Sequence, residues 1–112
     1  MTYKEINTMV KSMGFPYAYY QFKQDTAKPC PFITFFYEDN NDVFADNSNY
    51  QTVKRLYVEL CTDDKDFSAE AVVESVLAAH GMAWSCEETY IDPESMHMTI
   101  YSMDVVITEE ET

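Results

Sequence analysis

Near the N-terminus, Tyr3, Ile6, Met9, Val10 and Met13 recur three and four residues apart. That spacing puts them on one face of a helix. Thr2 and Glu5 stand in capping-box relation, each able to satisfy a free backbone donor of the first turn. Gly14 is placed to end the helix as a left-handed cap, and Pro16 bars its continuation. Tyr17–Phe22 reads as a first strand, with Tyr17 and Tyr19 on one side and Tyr20 and Phe22 on the other. Lys23–Pro31 is a polar loop. Phe32–Tyr37 is a second strand, apolar on both sides: Phe32 and Phe36 on one, Ile33, Phe35 and Tyr37 on the other. Glu38–Asn49 is a long acidic loop. Val53–Thr62 is a third strand that alternates Leu56, Val58 and Leu60 against Tyr57, Glu59 and Cys61.

The second half repeats the two periods. Asp63–Asp66 is a turn, and Asp66 or Ser68 is a suitable cap for a second helix. Val72, Val73, Val76, Leu77 and His80 mark that helix's buried stripe, and Gly81 stops it. Met82–Ile91 is a fourth strand, with Met82, Trp84 and Cys86 on one side. Asp92-Pro93-Glu94-Ser95 is a turn. Met98–Ile107 is a fifth strand, with Tyr101, Met103, Val105 and Ile107 turned inward, and Glu109–Glu111 form a solvated tail. The order α-β-β-β-α-β-β predicts one α+β domain over residues 1–112. Its sheet is five-stranded and mostly antiparallel, with both helices on one face and strands 2–3 and 4–5 as hairpins. Such a sheet has a second face, and here that face is rich in aromatic rings. Either a loop or the tail covers it, or it meets another subunit or partner, where Tyr and Phe are enriched.

Charge changes this picture most. The 112 residues hold 7 basic and 20 acidic side chains, a net of −13. Ordinary binding to nucleic acid or to anionic membranes is disfavoured by such a surface. Yet 46% of the residues are apolar, which excludes a disordered acidic chain. The charge is also divided. Residues 1–37 carry four Lys against Glu5 and Asp25, while residues 38–112 carry Lys54, Arg55 and Lys65 against all the other acids. The first part is mildly basic and the second strongly acidic, a division suited to basic partners or to copies of the same chain. The longest apolar run, near Pro31–Tyr37, is far too short to span a membrane. No secretory or lipidation motif is expected from the sequence. Cys30, Cys61 and Cys86 lack metal-type spacing and read as free thiols of a reducing cytoplasm.

Candidate chemistry is sparse. Counted from Asp39, the acidic loop places Val43, Phe44 and Tyr50 where an EF-hand requires an oxygen ligand, a Gly and a Glu. His80 suits a helix C-terminus. His97 opens strand 5 with no ligand set near it in sequence. Glu87 and Glu88 point to opposite sides of their strand, and Gly14 and Gly81 build no phosphate loop. The seven Met residues sit at core spacings as gap-fillers. No enzyme activity, cofactor or metal is expected.

Several stretches carry a family resemblance: Pro16–Phe22, Pro31–Tyr37 with its Asn/Asp loop, Val58–Asp66, and Glu88–Ile91. Together they resemble small morphogenesis proteins of tailed phages and prophages, across roughly residues 3–107. Within that class the chain is most similar to tail-terminator (tail-completion) proteins, with head–tail neck proteins a close alternative. The resemblance implies an α+β subunit that assembles as a hexameric ring. The ring caps the tail tube, stops its growth, and offers the head connector a docking surface. It implies assembly in the host cytoplasm and residence in the virion neck, with partners that are further copies, the tube protein and the connector. There is no membrane and no direct nucleic-acid contact in that role.

A ring requires a heterologous contact between two different patches of each subunit. The basic patch is expected from Lys4, Lys11, Lys23, Tyr17 and Tyr19, and the acidic one from Glu59, Asp63, Asp64 and Asp66. The loop residues Asp39, Asn40, Asn41, Asp42, Phe44 and Asp46 are expected to touch the tube protein or line the channel, where they would repel passing DNA. A different class remains open. A small acidic protein of this kind also suits a DNA mimic or inhibitor that occupies a basic nucleic-acid-binding site.

Overall fold

The Thr2 hydroxyl accepts the Glu5 amide at 3.0 Å, and the Glu5 carboxylate accepts the Thr2 amide at 2.8 Å. This capping box starts α1 (Tyr3–Lys11), whose buried side is Ile6, Met9 and Val10. The chain turns at Gly14, where φ is +88°. No neighbour would crowd a Cβ at that position, so glycine serves the left-handed backbone alone. The computed structural model describes residues 1–21, 29–39, 51–91 and 96–108. The remaining elements are β1 (Tyr17–Tyr19), β2 (Phe32–Asp39), β3 (Gln51–Thr62), α2 (Phe67–Ala79), β4 (Ser85–Ile91) and β5 (Met96–Thr108). The α-β-β-β-α-β-β order and the α+β class are as the sequence predicts.

The sheet runs β1-β2-β3-β5-β4. The β2–β3 and β4–β5 pairs are antiparallel, β3 lies antiparallel to β5 along its whole length, and only β1 is parallel to its neighbour. Register aligns the apolar positions. Ile33 faces Leu60 and Phe35 faces Val58. Val58 in turn faces Tyr101, and Leu56 faces Met103. These side chains form one core with Ile6, Met9 and Val10 of α1 and Ala69, Val73 and Leu77 of α2. Both helices therefore cover the same sheet face.

Several boundaries and faces differ from the sequence reading. β2 runs on through Glu38 and Asp39, expected in the acidic loop, because they pair with Arg55 and Lys54 of β3, which itself begins at Gln51 rather than Val53. The first strand stops at Tyr19 rather than Phe22, because Tyr20 adopts φ +71° and leaves the extended region. Its amide still donates to the Phe35 carbonyl at 2.7 Å. β4 begins at Ser85, three residues later than expected, although Met82 and Trp84 do pack on the core. β5 starts at Met96, two residues early. The stripe of α2 is Ala69, Glu70, Val73 and Leu77, while Val72 and His80 are exposed. Asp66 is the cap, accepting the Ala69 amide at 3.0 Å. The helix is thus set so that a carboxylate, Glu70, points inward.

Candidate functional site

Helix α1 and three strands enclose an aromatic, basic cleft at one end of the sheet. Tyr3, Lys4, Asn7, Tyr19, Phe35, Tyr37 and Lys54 line about 670 Å³. Alternation explains the strand contributions. Tyr19, Phe35 and Tyr37 share the helix-side face, and Tyr3 in the first turn of α1 meets Tyr37 edge-on at 5.0 Å. Burial, then the neighbouring phenols of Tyr19 and Tyr3, push the Tyr37 hydroxyl well above its ordinary range. It stays protonated and presents a donor. Of the expected basic patch, Lys4 and Tyr19 come together here. Tyr17 packs against Phe35 at 6.4 Å, and Lys11 is exposed in the last turn of α1. Lys23 lies outside the described residues.

The other end of β3 carries opposite charge. Lys54 and Thr62 are eight positions apart on an extended strand, so the two ends are separated by roughly 26 Å. Here Asp63, Asp64 and Asp66 border a smaller cleft of about 420 Å³ with Pro31, Lys65 and Phe67. Phe67 is 74% exposed, the most exposed large apolar residue among the described residues. The Lys65 ammonium sits 4.8 Å from its ring centre. Asp66 is engaged as the α2 cap, leaving Asp63 and Asp64 as the exposed acids. Glu59 does not join this group. The two-residue alternation of β3 turns it to the sheet face away from both helices.

On that far face Tyr20, Phe36 and Tyr57 form an aromatic row. Ring centres are 5.5 and 5.0 Å apart, and the second pair is stacked within 7° of parallel. Arg55 bridges Asp104 at 3.1 Å and also donates to Ser102. Among the described residues no helix lies over this face. Glu59 accepts from the Thr34 hydroxyl at 3.3 Å, yet burial outweighs that bond and raises its carboxyl above the ordinary value. A raised carboxyl binds its proton more tightly when folded, so the charged form costs stability at neutral pH. That cost is relieved as pH falls through the raised pKa. Glu59→Gln keeps an acceptor for Thr34. It is therefore expected to raise the urea midpoint at neutral pH, with a gain that shrinks toward acid pH. A lower midpoint at neutral pH would contradict this account.

A third feature was not legible as a group. Lys65 Nζ donates to Glu70 at 2.9 Å and to Glu88 at 2.8 Å. His97 Nε2 lies 3.1 Å from the same Glu88 oxygen, and Thr99 donates to the second Glu70 oxygen at 3.2 Å. The expectation that His97 stands apart from other ligands is thus corrected. Donor atoms of Glu70, Glu88 and His97 all lie within 4.8 Å of one another. This is a cation-binding geometry, and the cation in it is the chain's own ammonium. Its hydrogen bonds to Glu88 and then to Glu70 hold the Lys65 ammonium up at about 12, and Lys65 in turn lowers Glu88. The other imidazole, His80, places Nδ1 2.9 Å from the Val76 carbonyl. Both described histidines are engaged in local structure.

Of the loop residues, Asp39 closes β2. Asn40, Asn41, Asp42, Phe44 and Asp46 lie outside the described residues, as do Phe22, the turn 92–95 and the tail 109–111. No family model matches the chain, and no curated protein matches it.

Proposed function

We propose that the chain is a structural subunit of tail-terminator type, which associates head to tail with copies of itself into a ring on a tail tube. One observation carries the self-association. The two ends of the sheet are complementary: a cleft of Tyr3, Tyr19, Tyr37, Lys4 and Lys54 at one, and the exposed Phe67 beside Asp63 and Asp64 at the other. Phe67 of one copy enters the cleft of the next, and Asp63 and Asp64 approach Lys4 and Lys54. Aromatic anchors flanked by charged rims are the usual composition of such contacts. Because the patches differ, the contact repeats from copy to copy, and a rotation that closes on itself makes the repeat a ring rather than an open filament. The α+β order agrees with what the family resemblance implies.

The acidic-inhibitor alternative draws less support. Glu70 and Glu88 share Lys65, and Asp66 caps a helix, so three of the acids do not present free charge.

Native mass should show higher-order species at high concentration, or in the presence of a tail tube protein. Phe67→Ala and Lys4→Glu should each reduce them more than tenfold in apparent affinity, as for a residue worth about 2 kcal/mol at an interface. A chain that stays monomeric with and without tube protein would overturn the ring. Assembly that both variants leave unchanged would overturn the contact but not the ring.

A further inference from the structure

We propose that Cys30 and Cys61 form an oxidisable pair, which a small-molecule disulfide closes into a cystine on the helix-free face of the sheet. The pairing of β2 with β3 sets this up. Phe32 lies directly opposite Cys61, and Cys30 stands two residues before Phe32 in the bend that leads into β2. The two Sγ atoms are 3.1 Å apart. Cys86 is exposed on β4, an edge strand at the other side of the sheet. The sequence shows three unpaired thiols; the ladder turns two of them into neighbours.

The two thiols differ in access, which fixes the order of events. Cys30 is half-buried and Cys61 is 1% exposed. The Cys30 thiolate attacks the small disulfide, forming a mixed disulfide and releasing one small thiol. The Cys61 sulfur then attacks the Cys30 sulfur, the protein disulfide forms, and the second small thiol departs. The Cys61 proton ends on that departing thiol. The protein is oxidised by two electrons and the small disulfide is reduced to two thiols. Burial, and then Cys30 beside it, push the Cys61 thiol far above its ordinary range, so the second step is slow at neutral pH and quickens with alkali. The closed link joins the approach to β2 with the strand that leads into Asp63 and Phe67. It also shortens the free path of the unfolded chain, so it raises the thermal midpoint.

The test uses the whole native chain carrying Cys86→Ser, treated with oxidised glutathione under folding conditions. Intact mass and a non-reduced peptide map provide the readout. The expected result is loss of both remaining free thiols, a Cys30–Cys61 peptide without bound glutathione, and a higher thermal midpoint reversed by reductant. The same treatment of Cys30→Ser should yield no such link. A glutathione adduct that persists on Cys30, thiols that stay free, or a link found only between separate chains would each overturn the proposal. Cys61 is left unsubstituted throughout, so the result does not depend on a variant altered in the core.

Discussion

Tyr101→Ala is expected to cost about 3–5 kcal/mol of folding free energy, a large share of the roughly 5–15 kcal/mol that holds a domain of this size. Tyr101 is 0% exposed at the centre of β5, opposite Val58 on one side and Cys86 on the other. Its ring meets Trp84 edge-on at 6.3 Å, and its hydroxyl donates to a Glu74 oxygen of α2 at 2.8 Å. Burial first, and then the bond to Glu74, push the phenol far above its ordinary range. It therefore remains the donor through the neutral range. One side chain thus ties the central ladder, the edge strand and the second helix together. Tyr101→Phe separates the two contributions. It keeps the ring but leaves the Glu74 carboxylate without its donor, a loss of about 1–2 kcal/mol. Urea denaturation of both variants measures the difference. Equal losses would mean that the hydroxyl, and not the packed ring, dominates.

Tyr101 was legible from alternation alone, as were Leu56, Val58 and Leu60 of β3, whereas β2 reads apolar on both sides and only its pairing with β3 fixes Ile33 and Phe35 as its buried face. Each lies in a strand with one face buried, where a period of two is enforced by the core. The misses share a different cause. Nothing in the aromatic run Tyr17–Phe22 marks Tyr20 as left-handed, because Tyr is a good strand residue and the turn follows from its place at a sheet edge. The valines of α2 suggested a stripe through Val72. The true stripe includes Glu70, because Lys65 in the preceding turn and Thr99, distant in sequence, satisfy that carboxylate. The His97–Glu88 contact was closer to reach. The register sets Ile91 opposite Met96, and so puts Glu88 and His97 diagonally on one face. The place of β5 between β3 and β4, which brings that hairpin under α2, carries no local signal. Nor does the meeting of Cys30 with Cys61, which the β2–β3 ladder makes across 31 positions. At the candidate surface, the division of charge along the sequence anticipated opposite patches. Only the ladder shows that Glu59 belongs to a separate face and that Phe67, not Glu59, stands beside Asp63 and Asp64.

Lys65→Met is the second substitution with a large expected effect, and it tests why an inward carboxylate is tolerated at all. Glu70 is 8% exposed, and its two oxygens are met by Lys65 and Thr99. Removing the ammonium leaves Glu70 with one hydroxyl donor and Glu88 with His97. A buried charge that loses its partner is destabilising out of proportion to the worth of the intact pair. The exposed Arg55–Asp104 pair gives the contrast, since Arg55→Met should cost only about 0.2–1 kcal/mol. Lys65→Met should lower the urea midpoint clearly more than that. The pH dependence distinguishes the cause. In the parent, Glu88 is held below its ordinary value by Lys65, so its contribution is present above that value and is lost as acid carries the pH through the lowered one. Lys65 itself is raised to about 12, so its side of the pair is constant through the neutral range and is lost only in strong alkali. In Lys65→Met the deficit should therefore narrow toward acid pH, as protonation removes the charge left without a cation. Adding Glu70→Leu to Lys65→Met should recover much of the loss at neutral pH, because a carboxylate and its counterion are then both replaced by apolar groups of similar shape. A double variant no more stable than Lys65→Met would mean that the Lys65 ammonium over the Phe67 ring, rather than the charge on Glu70, supplies the stability.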